Sequence, residues 1–465
     1  MVALAATLFA MMNAQDPQRD AVIAKADAAI AKAASLAAAD PDRPRYHYHA
    51  PAQWMNDPNG PILYRGWYHL FYQSHPFAAG SGPKYWGHAR SRDLVHWEDL
   101  PTALWPSETQ GEREIYSGSV FLGPGGKPVA FYTSIGPREP EQWIATPEDE
   151  DLVRWRKDPI HITQAVNGKT PLAEWRDPFL FADMGLPFMV TGGGLDGRGI
   201  VALYRANGPS LRDWQSLGPM FTHPDASVRN IECPNLVQVD GKWVLLLSVW
   251  PSVQAFVGEL RNTHFVTEHR SVLGEGSYAS QIFQGTNDRI VEMAWVDTPV
   301  HPAWTGYLTL PSELHVAKDG TLLRTPVKEL AKLRGPTTRV GDLAVAGETP
   351  MPGIAGDSLE MTLTIEPGTA RRIGVGLGGF EVAYEAATRT LSAGGHSVVV
   401  PAKSLAKGLK LRLFLDRVAL DVYAADGAAT LCAHREHAAP GAITAFSQGG
   451  SGRLRGIQAW TMNAY

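Results

Sequence analysis

The feature that most constrains how this chain can fold is a unit that recurs five times between Tyr46 and about Gly335. Each unit joins a polar motif, an apolar strand, a tight turn and a second apolar strand. The first reads MNDPNGPILY, a turn at Arg65-Gly66, then WYHLFYQ. The second reads YSGSVFL, a turn over Gly123–Gly126, then PVAFYT. The third is RDPFLFA, Asp183-Met184-Gly185, LPFMVTG, and the fourth is ECPNLVQV, Asp240-Gly241, KWVLLLS. The fifth is SYASQIFQ, Thr286-Asn287-Asp288, RIVEMAWV. Strand, turn and strand with Gly, Asn or Asp at the turn is the hairpin signature. A second signal supports the period. Asp93-Leu94-Val95-His96-Trp97 returns as Asp151-Leu152-Val153-Arg154-Trp155 and loosely as Ser210-Leu211-Arg212-Asp213-Trp214, so Trp recurs at spacings of 58 and 59 residues. Strand-rich repeats of this length are propeller blades. The expected fold is all-β, with a five-bladed β-propeller over residues 45–335. The fourth and fifth units lack the Trp motif.

A propeller has a direct consequence for chemistry. Asp57, Ser117, Asp177, Glu232 and Tyr278 begin the first strands of successive units, and such starts converge at one end of the central channel. Three carboxylates remote in sequence then meet in one funnel. That crowding is unfavourable unless a proton or hydrogen bonds relieve it, which is the condition an acid/base site exploits.

Beyond Leu330 the texture changes. Residues 336–357 are rich in Pro, Gly and Thr. Period-two alternation then follows at Leu359, Met361, Leu363 and Ile365, and again at Leu409, Leu411, Leu413 and Leu415. This predicts a C-terminal antiparallel β-sandwich over 345–465 with no chemistry of its own. At the other end, residues 1–14 have the apolar character and length of a signal peptide, so a secreted or periplasmic location is expected, and a cytoplasmic one otherwise. Within 15–44, an Ala-rich run with Val22, Ile23, Ala26, Ile30 and Ala33 on one stripe predicts a peripheral helix ended by Asp40-Pro41-Asp42-Arg43-Pro44.

Composition excludes several classes. With 42 Lys+Arg against 47 Asp+Glu the net charge is −5, unlike a nucleic-acid binder. No run of 18 apolar residues follows the first dozen, so no membrane span is expected. Cys233 and Cys432 stand alone and His47-x-His49 has no third ligand at metal spacing, so neither a metal nor a cofactor is expected. Gly192–Gly197 has the G-x-G-x-x-G spacing of a dinucleotide site, but IVALY after it reads as a strand, where that site needs a helix.

Read together, these motifs resemble glycoside hydrolase family 32, the β-fructofuranosidases. The resemblance rests on Trp54-Met55-Asn56-Asp57-Pro58-Asn59-Gly60, Tyr68-His69-Leu70-Phe71-Tyr72-Gln73, Trp86-Gly87-His88-Ala89, Asp93 to Trp97, Arg176-Asp177-Pro178, Glu232-Cys233-Pro234 and Leu310-Pro311 to Leu314. It implies a five-bladed propeller followed by a sandwich, acting on sucrose or a fructan. It also implies Asp57 as nucleophile, Glu232 as acid/base and Asp177 as transition-state stabiliser. In a retaining mechanism the reacting pair lies about 5–5.5 Å apart. Asp57 is then expected to stay ionised and Glu232 to carry the proton it donates. Arg176 would fix Asp177, and Cys233 would be a buried neighbour that helps position the acid. The resemblance further implies sugar contacts from Asn56, Gln73, Trp86, Tyr116, Ser117, Tyr278 and Trp295.

Two departures stand out. Ala78-Ala79-Gly80-Ser81-Gly82 lies where the family often has a further Trp, so a pocket wall is missing. Asn235 replaces the usual Asp after E-C-P, and restoring Asp is expected to raise the basic limb of the pH–rate profile. Three alternatives stay open: a fructosyltransferase of the same fold, a non-catalytic sugar-binding propeller, and an inverting arabinan-cleaving propeller with carboxylates about 6.5–9.5 Å apart.

Overall fold

The computed structural model describes residues 17–286, 289–438 and 441–465. Residues 1–14, and Asn287 and Asp288 of the fifth turn, lie outside them. Five antiparallel sheets follow one another along the chain. Blade 1 is built from Gln53–Tyr64, Trp67–His75, Tyr85–Ser91 and Trp97–Leu104. Blade 2 is built from Glu114–Leu122, Pro128–Ile135, Glu141–Pro147 and Trp155–Lys157. Blade 3 has Ala173–Asp183, Leu186–Leu195, Arg198–Ala206 and Trp214–Thr222, and blade 4 has Glu232–Val239, Lys242–Val249, Ser252–Arg261 and His264–Val272. Blade 5 has Tyr278–Ile282, Val291–Val296, Ser312–Val316 and Leu322–Pro326. The chain is thus a five-bladed propeller, as the repeat predicts.

Local sequence explains the repeat. Arg65-Gly66, Met184-Gly185 and Asp240-Gly241 all have positive φ at both residues, the backbone of the two-residue hairpin turn whose twist suits its strands. The Asp-Leu-Val-x-Trp motif and its looser form at 210–214 are the corners into the outer strands of blades 1 to 3. Leu94, Leu152 and Leu211 are buried there in the left-handed region, at φ 69°, 56° and 57°. The indole nitrogens of Trp155 and Trp214 donate to the carbonyls of Leu152 and Leu211, at 2.7 and 2.9 Å. The Gly192–Gly197 run is a hairpin between two strands, as read. Gly192 is required because a Cβ there would sit 2.2 Å from the Ile231 carbonyl oxygen of the neighbouring blade.

Blade 5 departs from the plan. Its third strand comes only after residues 297–311, whose Trp304–Thr305 pairs in parallel with Gln53–Trp54. That short pairing joins the last blade to the first and closes the ring.

The sandwich begins at Arg334, earlier than the expected 345. Arg334–Val345 and Glu348–Ala355 are strands at the edges of its two six-stranded sheets. Edge strands tolerate Pro and Gly, which is why their composition reads as a linker. Leu359, Met361, Leu363 and Ile365 face the sandwich core with Leu409, Leu411, Leu413 and Leu415. The N-terminal helix α1 (Pro17–Ala39) buries Ala26 and Ala37. Its Asp27 accepts from the backbone N–H and hydroxyl of Thr102, at 3.0 and 2.7 Å, holding it to the outer strand of blade 1. His47 and His49 are structural: His47 bonds Asp416 and His49 the Pro44 carbonyl. No described helix is long and apolar enough to cross a membrane.

Candidate active site

In all five blades the ladder between first and second strand slips by one residue at the same level. Gln73 faces both Asn56 and Asp57; Thr133 faces Tyr116 and Ser117; Thr191 faces Asp177 and Pro178. Leu247 faces Cys233 and Pro234, and Ala294 faces Ala279 and Ser280. Such bulges re-aim side chains. In blades 3 to 5 the first bulged residue, Asp177, Cys233 or Ala279, has positive φ (59°, 46° and 53°). The five residues aligned from sequence are therefore staggered. Asp57 and Ser117 hold the second bulge position, Asp177 the first, and Glu232 and Tyr278 the last paired position before it. The stagger lets side chains of different length reach one point.

That point is crowded. Ser117 Oγ donates to Asp57 Oδ2 at 2.5 Å and itself accepts from Gln73 Nε2 at 2.8 Å. The Cys233 thiol lies 3.7 Å from Asp57 Oδ2 and 3.6 Å from Asp177 Oδ2, and the Cys233 backbone N–H donates to Asp177 Oδ2 at 2.9 Å. Cys233 thus bridges the two aspartates beside Glu232. Arg176 ion-pairs with Glu232 and Glu174 and lies 3.8 Å from Asp177. The Tyr278 hydroxyl donates to the second Glu232 oxygen. Thr133, which the sequence reading passed over, accepts the Asp177 backbone N–H at 2.9 Å, supporting the strained bulge from blade 2.

The electrostatics differ from expectation at Asp57. Burial pushes its pKa up to about 7, past the downward pull of the Ser117 hydrogen bond, and the charges of Asp177 and Glu232 add to the rise. Burial also pushes Asp177 up to about 6; Arg176 opposes this and Glu232 reinforces it. The expectation that Asp57 stays ionised with the help of hydrogen bonds is corrected: burial outweighs the Ser117 bond, so near neutral pH the carboxyl is divided between its charged and protonated forms.

Among the expected sugar contacts, Gln73 reaches the cluster through Ser117. Asn56 Oδ1 and Trp295 Nε1 are buried without a partner among the described residues, an arrangement that suits groups awaiting a ligand's hydroxyls. Tyr116 is half-buried under the ammonium of Lys84. Trp86 is a correction. It is fully buried among blade-core side chains, and its indole nitrogen donates to the Tyr116 carbonyl at 3.2 Å, so it backs the site without lining it. Trp250, 65% exposed and in edge contact with Tyr278, was missed. A lone Trp-Pro in a turn carries no sequence signal of its own.

Asn235 is also revised. It is fully buried, donates to the Cys233 and Ser280 carbonyls at 3.1 and 2.9 Å, and accepts from the Ile282 N–H at 3.1 Å. It ties blade 4 to blade 5. A carboxylate there would face two carbonyl oxygens, so folding would favour its protonated form. Asn235→Asp is expected to be somewhat less stable than the parent even at low pH, where a carboxylic acid donates one hydrogen bond in place of the amide's two, and to lose about 1–3 kcal/mol more as pH rises above the ordinary Asp value. Thermal melts across pH 3–7 check this; a pH-independent difference would refute it.

Comparison with known proteins follows the same lines. Residues 47–326 match the family model described as glycosyl hydrolases family 32 N-terminal domain. The chain is 32% identical over 454 residues to a levanase of Bacillus subtilis, covering 83% of this chain and 65% of that protein. It is 32% identical over 329 residues to a sucrose-6-phosphate hydrolase of Zymomonas mobilis, covering 63% of each. The chain therefore spans a little under two thirds of the length of these relatives. A solved structure of a Bombyx mori GH32 beta-fructofuranosidase has the same fold, with a TM-score of 0.81 at 24% identity over 97% of this chain and 99% of that one.

Proposed function

The chain belongs to glycosyl hydrolase family 32, and on that premise we propose that it is a retaining β-fructofuranosidase that releases fructose from the non-reducing end of sucrose or β-fructans. The observation that carries this reading is the meeting of Asp57, Asp177 and Glu232, from three blades, around Cys233 and Arg176.

Asp57 is the nucleophile. Its Oδ2 is held by Ser117 and Cys233, whereas Oδ1 takes no hydrogen bond among the described residues and is free to attack C2 of the fructosyl unit. As that bond forms, the bond from C2 to the leaving oxygen breaks and Glu232 gives this oxygen its proton. Tyr278 can serve Glu232 in both states, since a phenol donates to a carboxylate and, after rotation, accepts from a carboxylic acid. Asp177, anchored by the Cys233 N–H, holds fructose hydroxyls while positive charge develops at C2. Water then attacks C2, Glu232 takes its proton, and Asp57 is released. A secreted or periplasmic location, suggested by the apolar start of the chain, would give such an enzyme access to polymeric fructans.

An assay panel of sucrose, raffinose, inulin and levan tests the reading. Free fructose is expected, and in methanol the trapped product is methyl β-fructofuranoside. Lengthening oligosaccharides in water would favour transfer, and the absence of any product would refute the proposal. The pH profile carries a second expectation. Asp57 must lose its proton to attack, so kcat/KM falls as pH drops below the range of about 6 to 7 to which burial moves Asp177 and Asp57. An acid limb near pH 4 would contradict it.

A further inference from the structure

We propose that Trp250 is the platform on which the departing sugar ring stacks, so that it sets the preference for saccharide leaving groups. This inference rests on the proposed retaining chemistry and adds a specificity residue to it. Trp250 lies in the turn between Lys242–Val249 and Ser252–Arg261 of blade 4. Glu232 pairs with Ser248, and Ser248 with Val253, so this turn leaves the blade at the level of the proton donor.

The side chain is 65% exposed, although tryptophan is the residue that gains most from burial. Its ring meets Tyr278 edge-on, with centroids 5.2 Å apart and planes at 66°. Tyr278 in turn donates its hydroxyl to Glu232. One contact therefore links the open indole to the group that must protonate the leaving oxygen. Because that oxygen is protonated from the Glu232 side, the departing ring lies on the Glu232 side of the scissile bond. The indole face left open is the apolar surface available there for the C–H face of a sugar.

The loop of blade 1 presents a smaller aromatic surface, Phe77 at 39% exposure against 65% for Trp250. That loop carries Ala78-Ala79-Gly80-Ser81-Gly82, and its Phe77 packs edge-on against His75 and Tyr85.

The test compares sucrose, whose leaving group is a sugar ring, with methyl β-fructofuranoside, whose leaving group has no ring. For Trp250→Ala, kcat/KM on sucrose is expected to fall about tenfold, mainly through KM, while the methyl glycoside changes less than about twofold. Trp250→Phe restores most of the sucrose value. Equal losses on both substrates would mean that Trp250 only supports Tyr278, and no loss on either would mean that it is a bystander; each overturns the proposal. Should the parent act on inulin or levan and not on sucrose, that fructan takes the place of sucrose in the comparison; a parent that cleaves none of these refutes the proposed function itself, and this inference falls with it.

Discussion

Replacing Asp57 or Glu232 with alanine is expected to lower kcat by about 10⁴-fold or more, because the two carboxylates act as one unit and neither has a neighbour that can take its place. The two losses differ in kind. Without Asp57 no covalent intermediate forms, so even p-nitrophenyl β-fructofuranoside, whose leaving group needs no proton, is not turned over. Without Glu232 that substrate still forms the intermediate, and azide, a small anionic nucleophile, restores its breakdown. Stability provides a control for misfolding. The folded state raises the pKa of Asp57 to about 7, so the charged side chain opposes folding at and above neutral pH. Asp57→Asn is therefore expected to melt at or above the parent temperature while being inactive, the mark of a residue kept for chemistry at the expense of stability. Near-normal turnover by either alanine variant would remove the basis of the proposed mechanism.

The split between what the sequence foretells and what it hides follows the range of the interactions. Blade count, hairpin turns and the meeting of Asp57, Asp177 and Glu232 depend on a repeat and on turn residues, both local, so they are legible. The one-residue stagger is not. It arises from bulges, and nothing in Arg176-Asp177-Pro178 marks Asp177 as the bulged residue with φ 59°. The charge state of Asp57 is hidden for another reason. It depends on how deeply the carboxyl is buried and on its closeness to Asp177 and Glu232, which only packing decides. Trp86 was misjudged because an aromatic in a motif reads alike whether it lines a pocket or, as here, supports the backbone of Tyr116 from behind. The closing strand Trp304–Thr305 was missed because two residues are too few to show a period.

That closing strand is short, and the sandwich strengthens the joint it makes. Substitution of His47 by alanine is expected to cost about 3–5 kcal/mol, the usual result of leaving a buried ion without its partner. His47, Asp416 and Asp421 are all fully buried. One Asp416 carboxylate accepts the backbone N–H groups of Arg45, Tyr46 and His47 as well as His47 Nδ1, all at 2.8–2.9 Å. Asp421 lies 3.7 Å from His47 Nε2 and accepts the Leu310 N–H at 3.0 Å. The segment entering blade 1 and the insertion of blade 5 are thus fastened to adjacent strands of the sandwich, across the seam where the ring closes. Burial alone would drive the imidazole neutral, but its hydrogen bond to Asp416 and the nearby charge of Asp421 more than reverse this and raise its pKa to about 9. The direction of the pH effect follows. The contribution is complete below the ordinary histidine value of about 6.5 and is lost as pH rises through about 9, an effect of about 3 kcal/mol. The aspartates, held below their usual range once burial is outweighed by His47, give the opposite dependence in acid. Urea titrations between pH 6 and 10 should show the parent weakening toward pH 9, while His47→Gln starts lower and stays flat. Parallel decline of the two proteins would mean that the ring is held shut by apolar packing alone.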